Sequence, residues 1–160
     1  MRNITPKQFV KEVLIDEIGE IIKKHPYLSF TLITSGIEFL GICVDKSSRW
    51  SDQGKSRKHF YDCIDKLFPK KYQAIKVQLY KDLRCGLMHS QLPGNFKLTE
   101  LKNDPIGVLK YEDHLVKNQY ILVVDYFYFD FVQACQKVIA NTYDPTDKIN
   151  FPFMQIGPLN

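Results

Sequence analysis

Apolar residues recur at three- and four-residue steps along most of this chain, a spacing that predicts helices. Val10, Leu14, Ile18, Ile21 and Ile22 mark the first. Thr5-Pro6-Lys7-Gln8 opens it with a capping threonine, a proline suited to the first turn and a glutamine that completes a capping box. His25-Pro26 ends it, and His25 reads as a polar residue near a helix C-terminus. From Ser29 to Asp45 the chain is mostly apolar, with Ile33, Ile37, Leu40 and Val44 at helical spacing, which predicts a central buried helix. Ser56 is placed to cap a third helix carrying Phe60, Ile64, Leu67 and Phe68 and ended by Pro69. Tyr72, Ile75, Leu79, Tyr80, Leu83 and Leu87 share one broad face of a fourth, and Tyr126, Phe127, Phe131, Cys135 and Val138 mark a fifth.

Between the fourth and fifth helices, after Pro93-Gly94, the helical period is lost. Asn95 to Leu101, Ile106 to Tyr111 and Leu115 to Val123 predict a small hairpin or three-strand flap. The fold expected is therefore mainly α: a bundle of about five helices with a β flap, residues 95–123, before the last. One domain covers residues 1–142. Residues 143–160 form a tail with Pro145, Pro152 and Pro158, whose Phe151, Phe153, Met154 and Ile156 predict docking on the body or on a neighbour.

Composition narrows the chemistry. With 160 residues the chain can bury a core without staples. A net charge of +4 is compatible with a polyanionic partner and far below that of a dedicated DNA-binding tail. Cys43, Cys63, Cys85 and Cys135 are widely spaced, with no Cys-x-x-Cys and no zinc-finger interval, and read as reduced core residues; neither metal nor cofactor is predicted. The N-terminus lacks a signal-peptide core, and the stretch from Phe30 to Val44 is short for a bilayer and contains Glu38. A cytoplasmic protein without a membrane partner is expected.

Chemistry concentrates in the run from Leu79 to His89, where Arg84 stands among apolar residues and His89 falls where the helix should run out. So wide an apolar arc implies a helix covered on two sides, and a partly desolvated guanidinium there needs an anion beside it. Two readings of Glu38 remain open. With Thr34, Gly41 and Asp45 it forms a solvated stripe on the central helix, or it is the carboxylate that neutralises and orients Arg84. His89 follows Arg84 by roughly 7.5 Å along an ideal helix and about 140° around it. The two converge if the helix frays near Gly86, or if they face symmetry mates across a two-fold interface.

The run Leu-Tyr-Lys-Asp-Leu-Arg-Cys-Gly-Leu-Met-His resembles the Arg-x4-6-His signature of HEPN domains, helical proteins many of which are metal-independent ribonucleases. The stretch from His59 to Tyr72 and the aromatic helix after Asp125 sit where HEPN-like bacterial proteins carry similar patterns, so the resemblance spans roughly residues 30 to 140. It implies a HEPN-like bundle and a homodimer whose groove combines both copies of Arg84 and His89, with single-stranded RNA or a tRNA loop as substrate. Such proteins often act as toxins or in defence against phage. Position 85 departs from the pattern: catalytic members often carry asparagine or another polar residue there, and this chain has Cys85.

The residues suit that chemistry. An RNA 2′-hydroxyl attacks the adjacent phosphate, His89 moves a proton, and Arg84 stabilises charge on the phosphoryl oxygens. Lys81, Arg57 and Lys58 are candidate phosphate contacts. Trp50 either stacks on a base or plugs the edge of the core, and His114 is a candidate second titrating group if the flap closes over the site. The competing expectation is a non-catalytic module that binds nucleotide or RNA or only self-assembles. A third makes the Arg84–Glu38 pair a lock between helices, with His89 capping the helix end.

Overall fold

In the computed structural model the described residues are 2–103, 120–142 and 146–156. The chain is mainly helical. Strand β1 (Arg2–Ile4) leads into α1, which is α-helical over Pro6–Phe9, π-helical over Val10–Glu17 and α-helical again over Ile18–Lys24. Its start follows the sequence closely: the Thr5 side chain accepts from the Gln8 amide while the Gln8 side chain accepts from the Thr5 amide. Its end at His25 coincides with Pro26, which also opens α2 (Pro26–Val44).

Helix α2 is the centre of the molecule. It packs against α1, against α3 (Ser56–Leu67) and against α6 (Val124–Ala140), with Phe30, Ile33, Ile37 and Leu40 almost wholly buried. Its 19 residues are long and apolar enough to cross a membrane by length and composition, because it begins four residues before Phe30; here ten of them are buried in the core. The stripe of Thr34, Gly41 and Asp45, one of the two settings considered for Glu38, is not solvated. Thr34 is 0% and Asp45 6% exposed, and a Cβ at Gly41 would collide with the carbonyl oxygen of His59 on α3. Polar and small residues on that face mark a close helix crossing, which an apolar pattern alone cannot separate from a wet surface.

The third helix differs from expectation in one detail: no side chain caps it, and Ser56 is its first residue. After Pro69, α4 (Lys70–Gln73) is a single turn, and α5 follows as an α-helical start (Lys76–Gln78), a π-helical stretch (Leu79–Arg84) and an α-helical end (Cys85–Ser90). Leu79, Leu83 and Leu87 point into the core at 0% exposure.

The expected hairpin is corrected. Strands β2 (Phe96–Thr99) and β3 (Tyr120–Val123) pair in parallel, with Phe96 opposite Tyr120 and Leu98 opposite Leu122. Parallel neighbours need a long crossover instead of a tight turn. The segment 104–119, including the run from Ile106 to Tyr111 and His114, lies outside the described residues. Residues 146–156 lie on the body: Asp147–Asn150 make a short 3-10 turn with Ile149 buried, and β4 (Met154–Ile156) pairs antiparallel with β1. All four cysteines are free; Cys43, Cys63 and Cys135 are buried, and burial pushes the Cys43 thiol up to about 12.

The α2–α3 crossing has a direct test. Gly41→Ala forces a methyl group into the α3 backbone and is expected to lower stability by about 1–3 kcal/mol, the usual range for overpacking. A urea midpoint equal to that of the parent protein would show that the helices separate freely.

Candidate functional site

On α5, Tyr80 and Arg84 lie beside the buried Leu79-Leu83-Leu87 row, Tyr80 against α3 and Arg84 against α2. There the Arg84 Nε donates to Glu38 Oε2 at 2.5 Å, with the two side chains 16% and 15% exposed. The ion pair joins α5 to α2 across the flank left open by the core. Burial alone would disfavour the guanidinium charge, but the Glu38 hydrogen bond and charge outweigh it and hold Arg84 above its ordinary value. The guanidinium also lies 5.7 Å from the centre of the Tyr80 ring, which meets Phe60 and Tyr61 edge-on. Burial raises the Tyr80 hydroxyl, and the half-buried Cys85 adjoins both Tyr80 and Arg84.

His89 is placed differently. It is exposed in the last turn of α5, and its side chain makes no hydrogen bond among the described residues. The helix does not fray at Gly86. It continues to Ser90 and is closed without His89: the Ser90 hydroxyl donates to the Gly86 carbonyl at 2.9 Å, and Gln91 takes the left-handed conformation. The chain then folds back along the helix. A Cβ at Gly86 would strike the Leu92 carbonyl, Gly94 (φ +58°) packs on the Asp82 backbone, and the Asn95 amide donates to Asp82 at 2.9 Å. Tyr27 of α2 fixes the turn by donating to the Gln91 carbonyl at 2.7 Å. Arg84 and His89 thus share a helix while no hydrogen bond joins them; one is held against α2 and the other faces solvent beside exposed Met88 and Leu92.

The remaining sequence candidates disperse. Lys81 and Arg57 are exposed without an ion pair among the described residues. Lys58 is committed: its ammonium bridges Asp45 at 2.6 Å and Asp62 at 2.7 Å. Trp50 plugs the edge of the core, stacked on Phe39 at 5.6 Å, tilted on Phe153 at 4.9 Å and covered by the Lys148 ammonium at 4.5 Å. Its faces are occupied by the protein itself. Among the described residues no cluster of His, Cys, Asp and Glu could hold a metal ion.

The pattern missed a second polar centre. At the C-terminal end of α2, Asp45 accepts from the Ser47 amide (2.9 Å), the Ser47 hydroxyl (2.6 Å), the Ser48 hydroxyl (2.7 Å) and Lys58 (2.6 Å). Burial works against its charge, yet Lys58 and the two serines hold the carboxyl far below the usual carboxylate range. Ser48 also meets His59 Nε2 at 2.8 Å, and Lys148 donates to the carbonyls of Ile42 (2.9 Å) and Ser48 (2.6 Å). Serine, histidine and aspartate are the residue types of a hydrolytic triad, but the arrangement is not one. Asp45 approaches the same ring nitrogen that Ser48 meets, at 3.6 Å, and the serine is only 4% exposed. A triad needs the acid on the other nitrogen and the serine open to substrate. The cluster is a structural hub that ties α2, α3 and Lys148 together. Its only local signal was Asp-x-Ser-Ser after a helix, a pattern that favours side-chain-capped turns.

Comparison with protein-family models, with curated proteins and with solved structures finds no match in any of the three.

The hub predicts acid sensitivity. Burial lowers the His59 pKa from 6.5, so the unfolded chain binds this proton more readily than the folded one, and stability falls as pH drops below about 6.5 toward the lowered value. Asp45, also lowered, adds a further loss as pH falls through and below about 3.9. Urea unfolding between pH 7.5 and 5 should track the first loss, and His59→Gln should flatten that part of the curve. An equally steep curve in the variant would remove His59 as the cause.

Proposed function

We propose that this chain is a HEPN-type, metal-independent endoribonuclease acting as a cytoplasmic homodimer on single-stranded RNA or tRNA loops. The observation that carries the reading is the state of Arg84. Among the described residues the Arg84 hydrogen bond to Glu38 runs through Nε, so the carboxylate fixes the side chain without occupying the Nη groups that a phosphate would need. An arginine oriented by a carboxylate through its Nε is suited to charge that gathers on phosphoryl oxygens. The exposed His89 side chain makes no hydrogen bond among the described residues and is accessible to a substrate.

In the proposed reaction the 2′-oxygen forms a bond to phosphorus as the bond from phosphorus to the 5′-oxygen breaks. One histidine takes the 2′-hydroxyl proton, and the leaving 5′-oxygen gains a proton from another. Two copies of His89 across a two-fold axis supply both roles. The products are a 2′,3′-cyclic phosphate and a free 5′-hydroxyl. The exposed Leu28, Met88 and Leu92 offer apolar surface for such a contact.

One observation favours a second reading, a module that binds RNA or nucleotide, or self-assembles, without cleavage. Within one chain Arg84 and His89 diverge, and Cys85 stands at the position next to the arginine. The two readings part in one experiment: protein incubated with mixed tRNA and single-stranded RNA in EDTA, its fragment ends analysed, and its mass in solution measured alongside. Cleavage to cyclic-phosphate ends is expected, with His89→Ala slower by about 100-fold or more at unchanged stability and dimer content. Arg84→Lys, which keeps the charge but loses the planar fork, should also lose most activity. Salt-dependent RNA binding without cleavage would select the second reading, and activity surviving both substitutions would remove these residues from the mechanism.

A further inference from the structure

On the side of α2 that faces α1, a groove of about 290 Å³ runs between the two helices, lined by neither Arg84 nor His89. Val13, Glu17 and Ile21 lie along one wall at four-residue steps, Leu32 and Phe39 along the other, and Phe9 closes one end. The floor is Ser35 and Gly36, where small side chains leave space uncovered; Gly36 cannot be enlarged, because a Cβ there would press into Phe131. Val13 and Glu17 belong to the π-helical stretch of α1, and π turns inside helices are frequent at functional sites.

The charge on the groove is what selects an occupant. Helix α1 carries four carboxylates, and three have a cation: Glu12 pairs with Arg2, Asp16 with Lys11 at 2.6 Å and Glu20 with Lys23 at 2.5 Å. Glu17, the only charged side chain lining the groove, makes no ion pair among the described residues. A fatty carboxylate would bring like charge to this rim, whereas an ammonium group would meet its counter-ion there. The volume lies at the lower edge of small-molecule pockets, roughly 300–1,000 Å³. A single short alkyl or aryl chain fits, and a partner helix, about 10–12 Å across with its side chains, does not.

We propose that this groove binds a small amphipathic cation, an alkyl or aryl amine whose chain lies along Val13, Ile21 and Leu32 and whose ammonium group pairs with Glu17. Octylamine and octanoate share a chain length and differ in the sign of the head group, so they test the charge directly. In methyl-resolved NMR titrations of the full chain, octylamine is expected to shift the Val13, Ile21 and Leu32 methyl signals and to bind about tenfold more tightly than octanoate. Glu17→Gln should remove most of that difference. Val13→Phe should fill the groove and abolish binding, with Ser35→Leu as the second blocking variant should the first fail to fold. Equal affinity for the two ligands, shifts confined to residues outside the groove, or no shift with either ligand would each overturn the proposal.

Discussion

The contact of Gly41 with the backbone of His59 sets the geometry on which the other polar features depend. With no Cβ between them, α2 and α3 approach until backbone meets backbone, and the side chains around the crossing have one arrangement available. His59 turns its ring to Ser48 while its carbonyl rests on Gly41; Asp45, one turn further along α2, collects the serines and Lys58. Glu38 lies one turn earlier on the same stripe. The carboxylate that holds Arg84 is therefore positioned by the crossing that builds the hub, and a shift of α3 along α2 would be felt at both places.

Local chemistry made much of this readable from the residues alone. The Thr5–Gln8 capping box, the proline at the α1–α2 junction and the inward Leu79-Leu83-Leu87 row are short-range signals, and each appears where the pattern puts it. The Arg84–Glu38 pair was reachable by a slightly longer argument, since a desolvated guanidinium needs an anion and the central helix offered one interrupting carboxylate. What the pattern could not supply was non-local. Apolar alternation does not encode whether two strands run parallel, so β2 and β3 were expected as part of a hairpin or flap. Lys148 reaches Ser48 across 100 positions of sequence, and no spacing rule connects them. The buried stripe on α2 was ambiguous for a different reason: threonine, glycine and aspartate look the same whether they face water or another helix.

The two polar centres differ in how far they are satisfied. At Asp45 each carboxylate oxygen has hydrogen-bond donors from the protein, which suits a rigid element that orders its neighbours. At Arg84 the hydrogen bond to Glu38 among the described residues uses the Nε alone. Both π-helical stretches face the same middle portion of α2, one bearing Arg84 and the other lining the groove at Glu17. A helix with wider turns spaces its side chains less tightly against a neighbour, so α2 is packed closely toward α3 and more openly on these flanks.

The pairing of β1 with β4 places Arg2 opposite Ile156. During synthesis the first strand leaves the ribosome long before its partner exists, and α1 must wait with that edge unfilled while the helices behind it assemble. Its aromatic cover is late as well, because Phe153 packs on Phe9 and Phe39 only once that distant segment has emerged. The bundle can therefore form its centre early but cannot seal the edge at β1 until residues 153–156 have been made. A contact of such high sequence separation belongs among the slowest steps of folding.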